Sequence, residues 1–123
     1  MPNVSSMKKA VIVVGKANAG KSTTIREFKK LVKVKGRRHV FILNRKWGYI
    51  LSCSFEEKDW PITATIQKRA HYDYLVLACQ GPMLNKLHSA LKRVSFRVAD
   101  VHVQAPREGA AKAKKVLSLL KSP

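Results

Sequence analysis

Carboxylates are scarce in this chain: 7 of its 123 residues are Asp or Glu, against 25 Lys and Arg. Cysteine is scarcer, with Cys53 and Cys79 both inside apolar, strand-like stretches. Neither a disulfide scaffold nor a zinc-type spacing exists, so two reduced core thiols are expected. Aromatic residues make up 7% of the chain, and no Arg-Gly-Phe stacking motif of the RNA-binding kind occurs. No apolar run reaches the ~20 residues that a membrane-spanning helix needs. Residues Met1 to Ser6 carry no hydrophobic signal region. There is no internal repeat and no low-complexity tract. A cytoplasmic chain with no membrane partner is the expectation.

What is present is a globular balance, 46% apolar and 26% charged, sized for one domain over 7–123 with residues 1–6 expected to be disordered. The net charge of +18 gives a field that attracts polyanions. Arg26, Lys29, Lys30, Lys33, Lys35, Arg37, Arg38, Arg45 and Lys46 crowd one segment, opposed there only by Glu27. A nucleic acid is the partner this implies, bound electrostatically and without readable sequence preference. A merely solvated basic surface is the alternative.

The strongest local pattern is Gly15 to Ser22, Gly-Lys-Ala-Asn-Ala-Gly-Lys-Ser, which fills G-x-x-x-x-G-K-[ST] and is followed by Thr23. In such a loop the amides of Gly15, Lys16, Ala17, Asn18, Ala19 and Gly20, continuing through Lys21, Ser22 and Thr23, cradle phosphates. The lysine, Lys21, neutralises their charge, and the Ser22 hydroxyl is placed to ligate magnesium. The apolar run Lys9–Val14 before it suits a buried parallel strand. After it, Ile25, Phe28, Leu31 and Val32 recur at helical spacing, with Gly36 at the C-cap position. Strand, glycine loop and helix N-terminus come in the order that phosphate binding needs.

Further along, His39–Leu43 and Tyr49–Phe55 read as strands joined by a hairpin through Gly48. Glu56 to Asp59 opens a helix from Trp60 to Ala70, with Pro61 in its first turn. Tyr74–Cys79 is a wholly apolar strand, broken by Gln80-Gly81-Pro82. A helix follows, with Leu84, Leu87, Leu91 and Val94 as its stripe. Phe96–Val103 is a fifth strand, Gln104–Gly109 a loop, and Ala110–Lys121 a helix with Ala113, Val116, Leu117 and Leu120 inward. The alternation predicts an α/β three-layer sandwich on a mainly parallel sheet of about five strands. Ligands of such sheets bind at the strands' carboxyl ends. That gathers the glycine loop, Phe55–Asp59, Cys79–Pro82 and Gln104–Gly109, where small Ala105 and Gly109 would let a base lie close.

Carried by Gly15–Thr23 and this element order over nearly the whole chain, the sequence resembles the P-loop NTPase superfamily. With Asn18, the loop is similar to that of translation-factor-type GTPases. Their other motifs are missing: Ala78 stands where D-x-x-G needs its aspartate, and Asn44-Arg45-Lys46-Trp47 lacks the aspartate of N-K-x-D. The remainder resembles small kinase-like ATP-binding proteins, though without their Arg-rich lid; Arg107 is a candidate phosphate contact. The resemblance implies binding of ATP (or GTP) with Mg2+ and, if the protein is catalytic, hydrolysis or transfer of the γ-phosphate.

The resemblance also exposes a gap. The aspartate that usually holds magnesium at the end of a neighbouring strand is replaced by Cys79 and Gln80. Asp73 lies at the strand's other end, and Asp100 is mid-strand, expected to face solvent or to pair with a nearby Arg or Lys. Glu56 and Glu57, with Asp59 just beyond, are the acids nearest a carboxyl end. Lys21, Glu56 and Glu57 are therefore the catalytic candidates; the alternative reading of the acids is that they complement the positive end of the next helix. His39, His71, His88 and His102 have no acid at a useful spacing and read as structural. The other readings are a nucleotide-dependent nucleic-acid-binding module with little turnover, a degenerate GTPase, and a subunit whose partner supplies the missing acid or an arginine finger.

Overall fold

The computed structural model describes residues 8–51 and 61–122. The expectations for residues 1–6 and for Cys53, Phe55, Glu56, Glu57, Asp59 and Trp60 lie outside the described residues.

Five strands and four helices occur among the described residues. They are β1 (Lys8–Val14), α1 (Lys21–Leu31), β2 (Val40–Leu43), β3 (Lys46–Ile50), α2 (Ile62–Lys68), β4 (Tyr74–Cys79), α3 (Leu84–Arg93), β5 (Phe96–His102) and α4 (Gly109–Lys121). The sheet order is β2-β3-β4-β1-β5. β3, β4, β1 and β5 run parallel, and β2 closes one edge antiparallel to β3. The fold is therefore α/β on a mixed, mostly parallel sheet.

Apolar runs become central strands because both sheet faces are covered. On one face Val11, Val13 and Val76 pack with Ile25 and Phe28 of α1 and with Ala113, Val116 and Leu120 of α4. On the other, Ala10, Ile12, Leu75 and Leu77 pack with Ile66 of α2 and with Leu87 and Leu91 of α3. β4 is buried at all six positions and β1 from Ala10 to Val14, so these two strands carry the core. No helix among the described residues is long and apolar enough to cross a membrane.

Two local expectations are corrected. The hairpin turns at Asn44 and Arg45, with φ of 53° and 65°, as a two-residue turn needs. Gly48 lies inside β3, opposite Phe41, whose ring occupies the space a side chain there would take. β3 accordingly begins at Lys46, three residues earlier than the sequence pattern suggests. Helix α1 ends at Leu31, and the C-cap role expected of Gly36 falls to Lys33. Its φ is 60°, its N–H donates to Lys30 O, and Val34 N–H donates to Lys29 O, the bond pair that closes a helix with a left-handed residue. Gly36 serves a separate turn.

Candidate functional site

The loop Gly15–Gly20 leaves the carboxyl end of β1 beside the end of β4, anchored by Gly15 N–H donating to Cys79 O at 3.1 Å. The loop then reverses tightly. Ala19 N–H donates to Lys16 O at 3.1 Å, Asn18 has φ of 63°, and Gly20 has φ of 105°. That conformation at Gly20 is costly for any side chain and fits the second glycine of the motif. The chain enters α1 directly at Lys21, so the first-turn amides, which have no partner within the helix, lie at the loop. No acid sits in that first turn. The dipole end of α1 is left positive and electrically open to an anion.

Lys21 is the most informative side chain in the molecule. Only 6% of it is exposed, and its Nζ donates to Gly15 O at 2.7 Å and to Lys16 O at 2.8 Å. Among the described residues no carboxylate pairs with this ammonium, and burying an unpaired cation is expensive. The two carbonyls satisfy part of its donor capacity and leave its full charge at the loop. Thr24, fully buried, fixes the start of the helix by donating from Oγ1 to Gly20 O at 2.9 Å.

Asn18, Gly20, Lys21, Ser22 and Thr23, together with Pro106, line a cavity of ≈ 250 Å³. Sites for whole drug-sized ligands run about 300–1,000 Å³, so this one suits a phosphate chain more than an entire nucleotide. Ser22 is exposed on its wall. The loop after β5 forms the backing. Val103 O lies where a Cβ on Gly15 would go, and Ala105 and Pro106 lie where one on Gly20 would go. Gly109 admits Thr23 in the same way. Of the two small residues expected to give room to a base, Gly109 leaves its space to Thr23, and Ala105 meets Gly20 through its backbone. The backing loop is tied by Glu108, whose Oε1 accepts from Gln104 N–H at 2.7 Å and Ala105 N–H at 3.1 Å. Those two amides hold its carboxyl below the usual range. Arg107 is exposed and does not line the cavity.

The acids among the described residues do not complete the site. Asp73 directly precedes β4, at the opposite end of the sheet. Asp100 corrects the expectation made for it: it is half-buried and its Oδ1 lies 2.8 Å from His88 Nε2. His88, read from the sequence as lacking an acid, thus has one, brought to it by packing α3 on β5. Cys79 is buried at the end of β4. Among the described residues no group of three or more His, Cys, Asp and Glu could hold a metal ion.

No protein-family model matches this chain, and no curated protein or solved structure matches it significantly.

Proposed function

We propose that the protein binds a nucleoside triphosphate, ATP rather than GTP, with its phosphate chain in the loop from Gly15 to Thr23. The observation carrying this reading is Lys21, a buried cation folded over its own loop at the N-terminus of a helix with no acid in its first turn. Two positive sources, the ammonium and the helix end, then face one cavity of phosphate size. The preference for ATP rests on the missing guanine-reading aspartate after Asn44. The amides of residues 16 to 22 would hold the phosphate oxygens, and Lys21 would offset the charge of the terminal phosphates. Ser22 is the residue of the loop suited to a phosphate-bound magnesium ion, whose chemistry is to neutralise and orient the phosphates.

Phosphoryl transfer or hydrolysis would need an acid to orient the attacking group, and Glu56 and Glu57 are the candidates in the sequence. Titration calorimetry with ATP tests binding: Lys21→Ala should abolish tight triphosphate binding, and retained affinity would overturn the reading. Alanine at both Glu56 and Glu57 should remove magnesium-dependent turnover and leave magnesium-free binding intact. Unchanged turnover in that double variant would discard both acids as catalytic.

A further inference from the structure

We propose that a cationic groove along the edge strand β2 is a binding site for single-stranded nucleic acid. The groove, ≈ 480 Å³, is lined among others by Lys33, Lys35, Arg38, Val40, Ile42 and Trp47. Ile42 and Trp47 face each other across the hairpin, 57% and 55% exposed. The large apolar side chains exposed among the described residues are Leu31, Val40, Ile42 and Trp47. Three line this groove, and Leu31 ends the helix that leads into it. Apolar surface is thus left to water in one place, and that place is ringed by cations.

The charge is as one-sided as the apolar surface. Nine basic residues fall between Arg26 and Lys46 against one acid, Glu27, and Glu27 already accepts from Lys30 at 2.9 Å. Lys33, Lys35, Arg37, Arg38 and Arg45 are exposed. The backbone gives an independent sign. Lys33 and Arg45 both have positive φ, 60° and 65°, at a helix C-cap and a hairpin turn where glycine would be cheaper. Lys33 lines the groove and Arg45 lies in the hairpin turn two residues from Trp47; cations held there against a local preference fit a function for their charge.

The chemistry selects the ligand. A row of Lys and Arg binds phosphates and gives no sequence preference. An exposed indole adds a face on which an unstacked base can lie, and arginine planes can add cation–π contact. A duplex hides its base faces in the stack and would gain nothing from Trp47. The site is independent of the phosphate loop, which lies at the other end of α1, about 16 Å away at 1.5 Å per residue.

The test uses labelled 20-nucleotide oligo(dT) and oligo(U), followed by anisotropy over a salt series. Affinity for at least one should fall steeply with salt, and the two arms separate deoxyribose from ribose. Trp47→Ala should weaken single-strand binding roughly tenfold and leave duplex binding unchanged. In a Trp60→Phe variant, where Trp47 is the sole tryptophan, oligonucleotide should quench its fluorescence. The double variant Lys33→Gly/Arg45→Gly should bind more weakly, with the salt slope reduced by about 1.4. It should melt no lower than the parent, which separates lost binding from lost folding. The proposal is overturned by salt-insensitive binding to both oligonucleotides, or by unchanged single-strand affinity in Trp47→Ala. It is also overturned by tighter binding to anionic phosphatidylserine vesicles than to either oligonucleotide, or by sedimentation showing Trp47 covered in a dimer of this chain.

Discussion

Gly20 and Pro106 pack so closely that a Cβ on the glycine would sit 2.8 Å from the proline Cα, with Ala105 C and O at 2.9 Å. The glycine loop is therefore shaped from behind by the segment after β5, whose backbone cannot yield as a flexible side chain would. Gly20→Ala meets two penalties at once, the left-handed backbone at φ of 105° and this contact. A loss of about 3 kcal/mol in urea unfolding is expected, together with loss of triphosphate binding. Gly36→Ala is the control. Its φ is 64° and nothing lies within 4 Å of an added Cβ, so about 1 kcal/mol and unchanged ATP affinity are expected.

The same backing loop should make the proposed triphosphate site acid-sensitive. Glu108 has its carboxyl lowered below the ordinary value of 4.5 by the Gln104 and Ala105 amides, with Lys112 and Arg107 adding to them. A depressed carboxyl favours the folded state fully above the unfolded value and loses that contribution as pH falls through the folded value. Thermal melts from pH 6 down to 3 should show this loss, and Glu108→Gln should flatten that part of the curve. If Glu108 holds the loop against Gly20, the variant should also weaken ATP binding at neutral pH. A variant with the parent's acid profile would show that the two amide bonds contribute nothing.

Most of the architecture was legible because the central strands and packed helices follow single periods. Lys9–Val14 and Tyr74–Cys79 are continuous apolar runs, and each helix puts its apolar residues three or four apart. The misreadings arose where composition pointed to the wrong residue for a turn, and in one of them a tertiary neighbour decided the outcome. Gly48 has the composition of a turn, yet it is glycine because the Phe41 ring lies over it. Asn44 and Arg45 make the turn although Arg45 has no preference for positive φ. Lys33 caps α1 while Gly36, three residues on, carries the obvious signal. For the candidate site, the tight reversal at Gly20 was readable because a left-handed backbone favours glycine locally. The backing by Val103, Ala105 and Pro106 was not, since it joins segments nearly ninety residues apart.

His88 and Asp100 supply a case in which structural and catalytic roles can be told apart. The pair is half-buried at 2.8 Å, between α3 and β5. No residue lining the glycine-loop cavity belongs to either element. A double-mutant cycle with His88→Ala and Asp100→Ala should give a coupling of about 1 kcal/mol in stability. ATP affinity should be unchanged in all three variants. Loss of nucleotide binding in either single variant, with the fold intact, would assign the pair to the site.

Gly48 carries the remaining prediction, and its outcome depends on whether Phe41 can move. A Cβ at position 48 would overlap the far edge of the Phe41 ring. The ring is 2% exposed, meets Phe28 edge-on at 5.4 Å between centroids, and stacks near Tyr74 at 6.1 Å. Phe28 belongs to α1 and Tyr74 to β4, so displacing Phe41 would loosen the hairpin from both. Gly48→Ala should therefore cost about 2 kcal/mol in denaturant unfolding, as overpacking of a closed site does. Shortening the obstacle gives the decisive comparison: Gly48→Ala combined with Phe41→Leu should be less destabilised than the two single changes added together. A glycine kept only for a turn would show no such rescue, and strictly additive losses would reject the packing explanation.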